Sequence, residues 1–118
     1  MRWLFHVLRS EDAVFVHDAA SAGSERRYRP GSLEREGFLH ASYRDAVLES
    51  ARLYFPAGAA LSVFAIDPRR LDVPVDVVDT PRGPMPHVRG SIPERAVRVL
   101  QLDDVPAHAD LVDDDGRP

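Results

Sequence analysis

The chain has 118 residues, 44% of them hydrophobic, enough to fill the core of one compact domain, and its net charge is −4 from 15 basic and 19 acidic side chains. That balance removes any global attraction to nucleic acid or anionic lipid, so anion binding is left to a local patch. All 15 of the basic side chains are arginine and there is no cysteine, which excludes lysine Schiff bases, disulfides, thiolate nucleophiles and cysteine-ligated metal centres.

The apolar run Trp3-Leu4-Phe5 breaks too early for a signal-peptide core or a membrane span, so a cytoplasmic protein is expected, with neither membrane nor DNA as a partner. Trp3 to Leu8 reads as a strand, and Ser10-Glu11-Asp12 after it as the start of a helix over Glu11 to Ala20. Ser21 to Pro30, with Gly23 and three arginines, reads as a polar loop anchored by Tyr28. Gly31 to Glu36 predicts a helical turn capped by Ser32 and ended by Gly37. The longest helix is expected from Tyr43 to Phe55, with Val47, Leu48, Ala51, Tyr54 and Phe55 as its apolar stripe.

Leu61 to Ile66 predicts a short strand buried on both faces, stopped by Asp67-Pro68. Val73 to Val78 predicts another strand, and Pro74 places it at an edge. The prolines of Thr80 to Pro86 predict an ordered loop, Ala96 to Leu102 a last strand, and Asp103 to Pro118 an acidic tail with few anchors. About five strands and two or three helices make the class α+β. A single domain over residues 1–111 is expected, with an acidic, disordered tail at 112–118.

Two segments carry the candidate chemistry. In Gly37-Phe38-Leu39-His40-Ala41-Ser42 a histidine and a hydroxyl stand two residues apart, on one face of an extended chain. Pro86-His87-Val88-Arg89-Gly90 places its histidine in a comparable setting, and the two segments are expected to meet. Arg89 alternates with His87 and would share its face as a donor to phosphate or carboxylate. Ser42 precedes the long helix with Asp45 three residues on, so it reads as an N-cap that also builds an anion-friendly corner. His6, opposite in facing to Phe5 and Val7, would converge on the same place from the first strand. No spacing typical of a metal site, serine-hydrolase elbow or phosphate-binding loop occurs.

Taken in order, Leu4-Phe5-His6-Val7, Tyr28-Arg29-Pro30 with Ser32-Leu33, Glu36 to Ser42, Ile66-Asp67-Pro68 with Leu71, and Pro86 to Gly90 resemble the domain of unknown function 952 family, over about Leu4 to Leu102. That family is similar in fold to the ADP-ribosyltransferases, so the resemblance implies a split, mainly antiparallel β-sheet around a nicotinamide-dinucleotide cleft. It implies that His6 holds a ribose and that His40, Ser42 and His87 line the cleft. Arg89 stands where the family has an aromatic residue, and Val78-Asp79 where a glutamate is common.

The combined expectation is a cleft that binds NAD or another phosphate-bearing nucleotide, with His40 and His87 as catalytic candidates and His6, Ser42, Arg89 and Tyr28 as ligand-binding ones. Turnover, if any, would be NAD-dependent ADP-ribosyl or phosphoryl transfer. The alternative is a non-catalytic binding or interaction module whose histidines are structural.

Overall fold

Leu61–Ile66 is apolar at every position but Ser62, a pattern that suits a strand covered on both faces, and it is the middle strand of a sheet. The structure, a computed structural model, describes residues 2–17 and 25–110. In chain order the strands are β1 (Leu4–Arg9), β2 (Val16–His17), β3 (Arg26–Tyr28), β4 (Leu39–His40), β5 (Leu61–Ile66), β6 (Val75–Thr80), β7 (Gly83–Val88), β8 (Ile92–Pro93) and β9 (Val97–Gln101). The α-helices are α1 (Ser32–Glu36) and α2 (Val47–Tyr54). The strands form three antiparallel three-stranded sheets of order β1-β5-β9, β2-β3-β8 and β4-β7-β6. An antiparallel bridge between Phe5 and Ser42 ties the first sheet to the third.

Side-chain alternation along β1 and β5 divides the core in two. Leu4, Leu8, Phe64 and Ile66 pack on one side with Tyr28, Leu39, Val88 and Ile92. Phe5, Val63 and Ala65 pack on the other with Trp3, with Val47 of α2 and with Val105. Removing each such side chain from water contributes about 1.5–3 kcal/mol. Position 6 therefore carries a histidine on the face that builds the larger core, between Leu4 and Leu8.

Several expectations change. The helix expected over Glu11 to Ala20 is, where described, a single 3-10 turn at Ser10–Asp12 followed by extended chain; residues 18–20 lie outside the described residues. Its capping signal is spent on a distant strand, because the Ser10 amide donates to Ala60 O and its hydroxyl meets Ser62 Oγ at 2.8 Å. Phe15 stacks on Phe64 at 5.3 Å, which holds the chain extended. Of the loop expected over Ser21 to Pro30, residues 21–24 lie outside the described residues and Arg26–Tyr28 is instead strand β3. Arg27 there is buried, donating to Ser91 Oγ at 2.7 Å, to Ser91 O at 2.9 Å and to Asp72 Oδ2 at 3.0 Å.

Helix α1 ends at Gly37, with φ 80, as expected, but Ser32 makes no capping bond and the N-cap position is Gly31. Helix α2 is shorter than expected, since Arg44–Ala46 winds as a 3-10 turn; Val47 and Ala51 are buried while Leu48 and Tyr54 are exposed. The proline-rich loop is instead the hairpin β6–β7, turning at Pro81-Arg82, with Gly83 at φ 99. Strand β6 does lie at a sheet edge. The C-terminal stretch has anchors that its acidity concealed. Leu102–Ala107 coils as 3-10 helix, Val105 is fully buried, and His108 meets the Trp3 and Phe5 rings edge-on. The rest of the expected tail, residues 111–118, lies outside the described residues. The described residues form nine strands against the expected five or so: β2, β4 and β8 are two-residue pairings too short for a periodicity to register, and β3 falls within the expected loop.

Candidate functional site

The two histidine segments meet as neighbouring strands. In the β4–β7 ladder Leu39 stands opposite Val88 and His40 opposite His87. Leu39 and Val88 are fully buried, so alternation turns both histidines to the other face. Strand β7 tolerates two prolines because Pro84 and Pro86 alternate, facing Asp79 and Val77 of β6. Their missing N–H groups fall on the edge away from that partner, where the Pro86 carbonyl accepts from the Ala41 amide at 3.1 Å. Gly90 closes the segment by close approach: a Cβ there would lie 2.6 Å from Val73 Cγ1.

Both histidines line a cleft of about 760 Å³ between α1, the C-terminal end of α2, the β6–β7 hairpin tip and strand β1. The His87 ring stacks on Phe38, with centroids 4.0 Å apart and planes at 12°. The His40 ring stands edge-on to both, 4.7 Å from Phe38 and 5.5 Å from His87. His40 Nε2 donates to Glu36 Oε2 at 2.7 Å. Glu36 ends α1 and His40 is four residues on, beyond the left-handed turn at Gly37 that brings the carboxylate back over the strand. No ring nitrogen of His87 is hydrogen-bonded within the described residues. Its pKa is lowered first by desolvation, then by the nearby His40 and Arg89 charges, so it is neutral at pH 7.

His6 is placed in the same cleft wall, but its ring is fully engaged inside the protein. Nδ1 lies 2.7 Å from the His40 carbonyl, which can only accept, so Nδ1 carries the hydrogen. Nε2 then accepts from the Tyr28 hydroxyl at 3.0 Å. Burial holds the His6 pKa down to about 4 and pushes that of Tyr28 up to about 12, so the pair is neutral. A ribose-holding His6 would have to give up one of these bonds. Tyr28 is buried against Phe64 and does not line this cleft, although it borders an adjoining one of about 630 Å³.

Ser42 is not a helix cap. Its hydroxyl meets Ser50 Oγ of α2 at 2.9 Å, and the cap position of the following 3-10 turn is Tyr43 with no side-chain bond. The pairing holds the α2 face to the strand, so the helix-amide corner expected at Ser42 does not form. Arg89 also lies outside the cleft. Its Nε donates to Asp76 Oδ2 at 2.6 Å and its guanidinium carbon sits 5.3 Å from the Phe38 ring centroid. The cationic groups that do line the cleft are Arg35 and Arg82, which the motif reading missed. Arg82, at the hairpin tip, donates to Tyr54 Oη at 3.2 Å and to Ser50 Oγ at 3.4 Å, and its Nη1 pairs with Glu49 Oε1 at 3.7 Å. The Arg35 guanidinium has no hydrogen bond or ion pair with any described residue, and it leans over Gly31, where a Cβ would meet its Nη1 at 2.8 Å. Glu36 is the one carboxylate among the described residues lining the cleft. Among the described residues no group of three or more His, Asp or Glu side chains is placed to hold a metal ion.

A family model described as "Protein of unknown function (DUF952)" matches residues 14–100, most of the chain. The chain belongs to the DUF952 family. The match takes in both histidine segments and leaves His6 outside its limits. Two solved structures are similar: protein CC0527 from Caulobacter crescentus, at 23% identity and a TM-score of 0.64, and a double methionine variant of it, at 22% and 0.63. Each comparison covers 98% of this chain and 92% of the other, so the likeness extends across the whole fold. Among curated proteins none matches. No helix of the described residues is long and apolar enough to cross a membrane.

Proposed function

We propose that the cleft between the two histidine segments binds a small phosphate-bearing ligand of the nucleotide class, with NAD, the ligand implied by the likeness to ADP-ribosyltransferases, as the first to try. The observation that carries this reading is Arg35, a guanidinium on the cleft wall with no hydrogen bond or ion pair to any described residue. A guanidinium fork matches phosphate oxygens two at a time, and Arg82, which also lines the cleft, is a second donor. His87, neutral and stacked on Phe38, has ring nitrogens free for the same ligand. The cleft volume is within the range of small-molecule sites.

These supports replace the ones expected from the motif alone. Arg89 lies outside the cleft and Ser42 is bonded to Ser50, so the anion would be held by Arg35, with Arg82, which also lines the cleft and pairs with Glu49 at 3.7 Å, as the second donor. The two bonds of His6 favour the second reading, structural histidines, for that residue alone. Calorimetric titration with NAD, ADP and AMP, followed in parallel by the His40 and His87 ring signals, tests the proposal. Binding with both rings shifted is expected. No heat and no shift at millimolar ligand would remove it.

A further inference from the structure

We infer that His40 and His87 are an acid–base pair for phosphodiester cleavage, the reaction this cleft would perform on the phosphate-bearing ligand proposed above, and the inference rests on that reading. Four observations lead to it. The two imidazoles are direct cross-strand partners with centroids 5.5 Å apart, on the cleft wall. They are unequal: His40 is held through Nε2 by the Glu36 carboxylate, and His87 has no hydrogen-bond partner among the described residues. Two arginines line the same cleft, where charge on phosphate oxygens would need neutralising. Finally, Glu36, the one carboxylate among the described residues of the lining, is committed to His40, which leaves no described lining carboxylate to steady an oxocarbenium ion and fits proton transfer better than glycosyl transfer.

The roles follow from the inequality. A carboxylate against one ring nitrogen orients an imidazole and fixes its tautomer, so His40, with Nε2 held by Glu36, is assigned as the proton donor, through Nδ1. His87, facing Arg89 and His40 as well as Glu36 and Asp76, stays neutral and is the acceptor. In the step, His87 takes a proton from water and the water oxygen bonds to phosphorus. The ester P–O bond breaks with its electron pair on the leaving oxygen, which receives the His40 proton. A phosphate monoester and an alcohol result, and the proton on His87 returns to His40 through solvent. Each nitrogen must reach within about 3 Å of its oxygen, and two rings on one wall can serve the entering and leaving oxygens of a single phosphorus. Phe38, stacked on His87 at 4.0 Å, is a positioning residue that fixes the His87 plane.

The test uses the full chain and adenosine 2′,3′-cyclic phosphate, with phosphorus NMR reading both binding and ring opening, in water enriched in oxygen-18. The expected result is conversion to the monoester with one labelled oxygen and a bell-shaped pH profile. His40→Gln and His87→Gln, each checked for an unchanged thermal melt, should lose about 10²-fold or more in rate while still binding. In His87→Gln the acidic limb of the profile should vanish, which a merely structural role would not produce. A diester that binds and is never opened overturns the inference and leaves the binding proposal standing. Full activity in either folded variant also overturns it. If the diester, ADP and NAD all fail to bind, the binding proposal falls as well.

Discussion

His6 Nδ1 donates to the main-chain carbonyl of His40 at 2.7 Å, so one histidine sets the backbone from which another projects. The bond joins β1 to β4 beside the Phe5–Ser42 bridge, and the Tyr28 hydroxyl on Nε2 completes it from β3. Three sheets are thereby tied together at one imidazole, at the rim of the cleft.

This arrangement makes stability depend on pH in a stated direction. The His6 pKa is about 4 in the folded protein against 6.5 in the unfolded chain, so between those values only the unfolded state takes up the proton. Stability should fall as pH drops from 6.5 to 4, by up to roughly 3 kcal/mol from this group. Urea unfolding across that window checks it, with His6→Asn as the variant whose slope should flatten. An unchanged slope in the variant would assign the loss to other groups.

Arg27 is a buried cation held by Ser91 and Asp72. Replacing it with Met should cost about 2–3 kcal/mol, since the Ser91 groups lose a charged donor inside the protein. Asp72 is half exposed, so Asp72→Asn should cost less than Arg27→Met. Its carboxyl, held below the usual range by the Arg27 hydrogen bond, should return toward that range in an Arg27 variant. Denaturant midpoints and carboxyl titration by NMR measure both.

Gly90→Ala should destabilise by about 1–3 kcal/mol through the clash with Val73 Cγ1, not through backbone strain. The double substitution with Val73→Ala should recover part of the loss. A double-mutant cycle with zero coupling would contradict the contact as the cause.

Arg35→Gln should leave the melting temperature almost unchanged, because the side chain has no hydrogen bond or ion pair with any described residue. Its effect should appear in ligand binding, as a Kd for ADP weakened by about tenfold or more, the scale of a charge-assisted hydrogen bond. Arg89→Gln, which breaks a surface pair with Asp76 outside the cleft, should leave that Kd nearly as it was. Calorimetry on the two variants side by side separates these outcomes.

Much of the site was legible because alternation is a local rule. His40 and His87 each follow a pattern of neighbours that a strand turns to opposite faces, and the family-like segments Glu36 to Ser42 and Pro86 to Gly90 marked the two strands that pair. Arg35 and Arg82 were not legible. One sits on the outer side of a five-residue helix and the other in a proline turn, and nothing local says that both face one cleft. Ser42 misled for a related reason: a serine before a helix signals a cap, but Ser50 of α2, eight residues on, offered its hydroxyl a buried partner instead.

The sequence by itself determined the α+β class, the doubly buried strand at Leu61–Ile66, the edge position of a strand beginning near Val73, observed as Val75–Thr80, and the family to which the chain belongs. These depend on residue type, spacing and motif, which survive in one dimension. Only the tertiary structure decided that β2, β3 and β8 form a sheet, that Val105 and His108 anchor the C-terminal stretch, and that His6 is saturated by His40 and Tyr28. The deciding contacts join distant parts of the chain, Tyr28 to Ile92, Trp3 to His108, and His6 to Tyr28 and His40, where burial and hydrogen-bond satisfaction outweigh local preference.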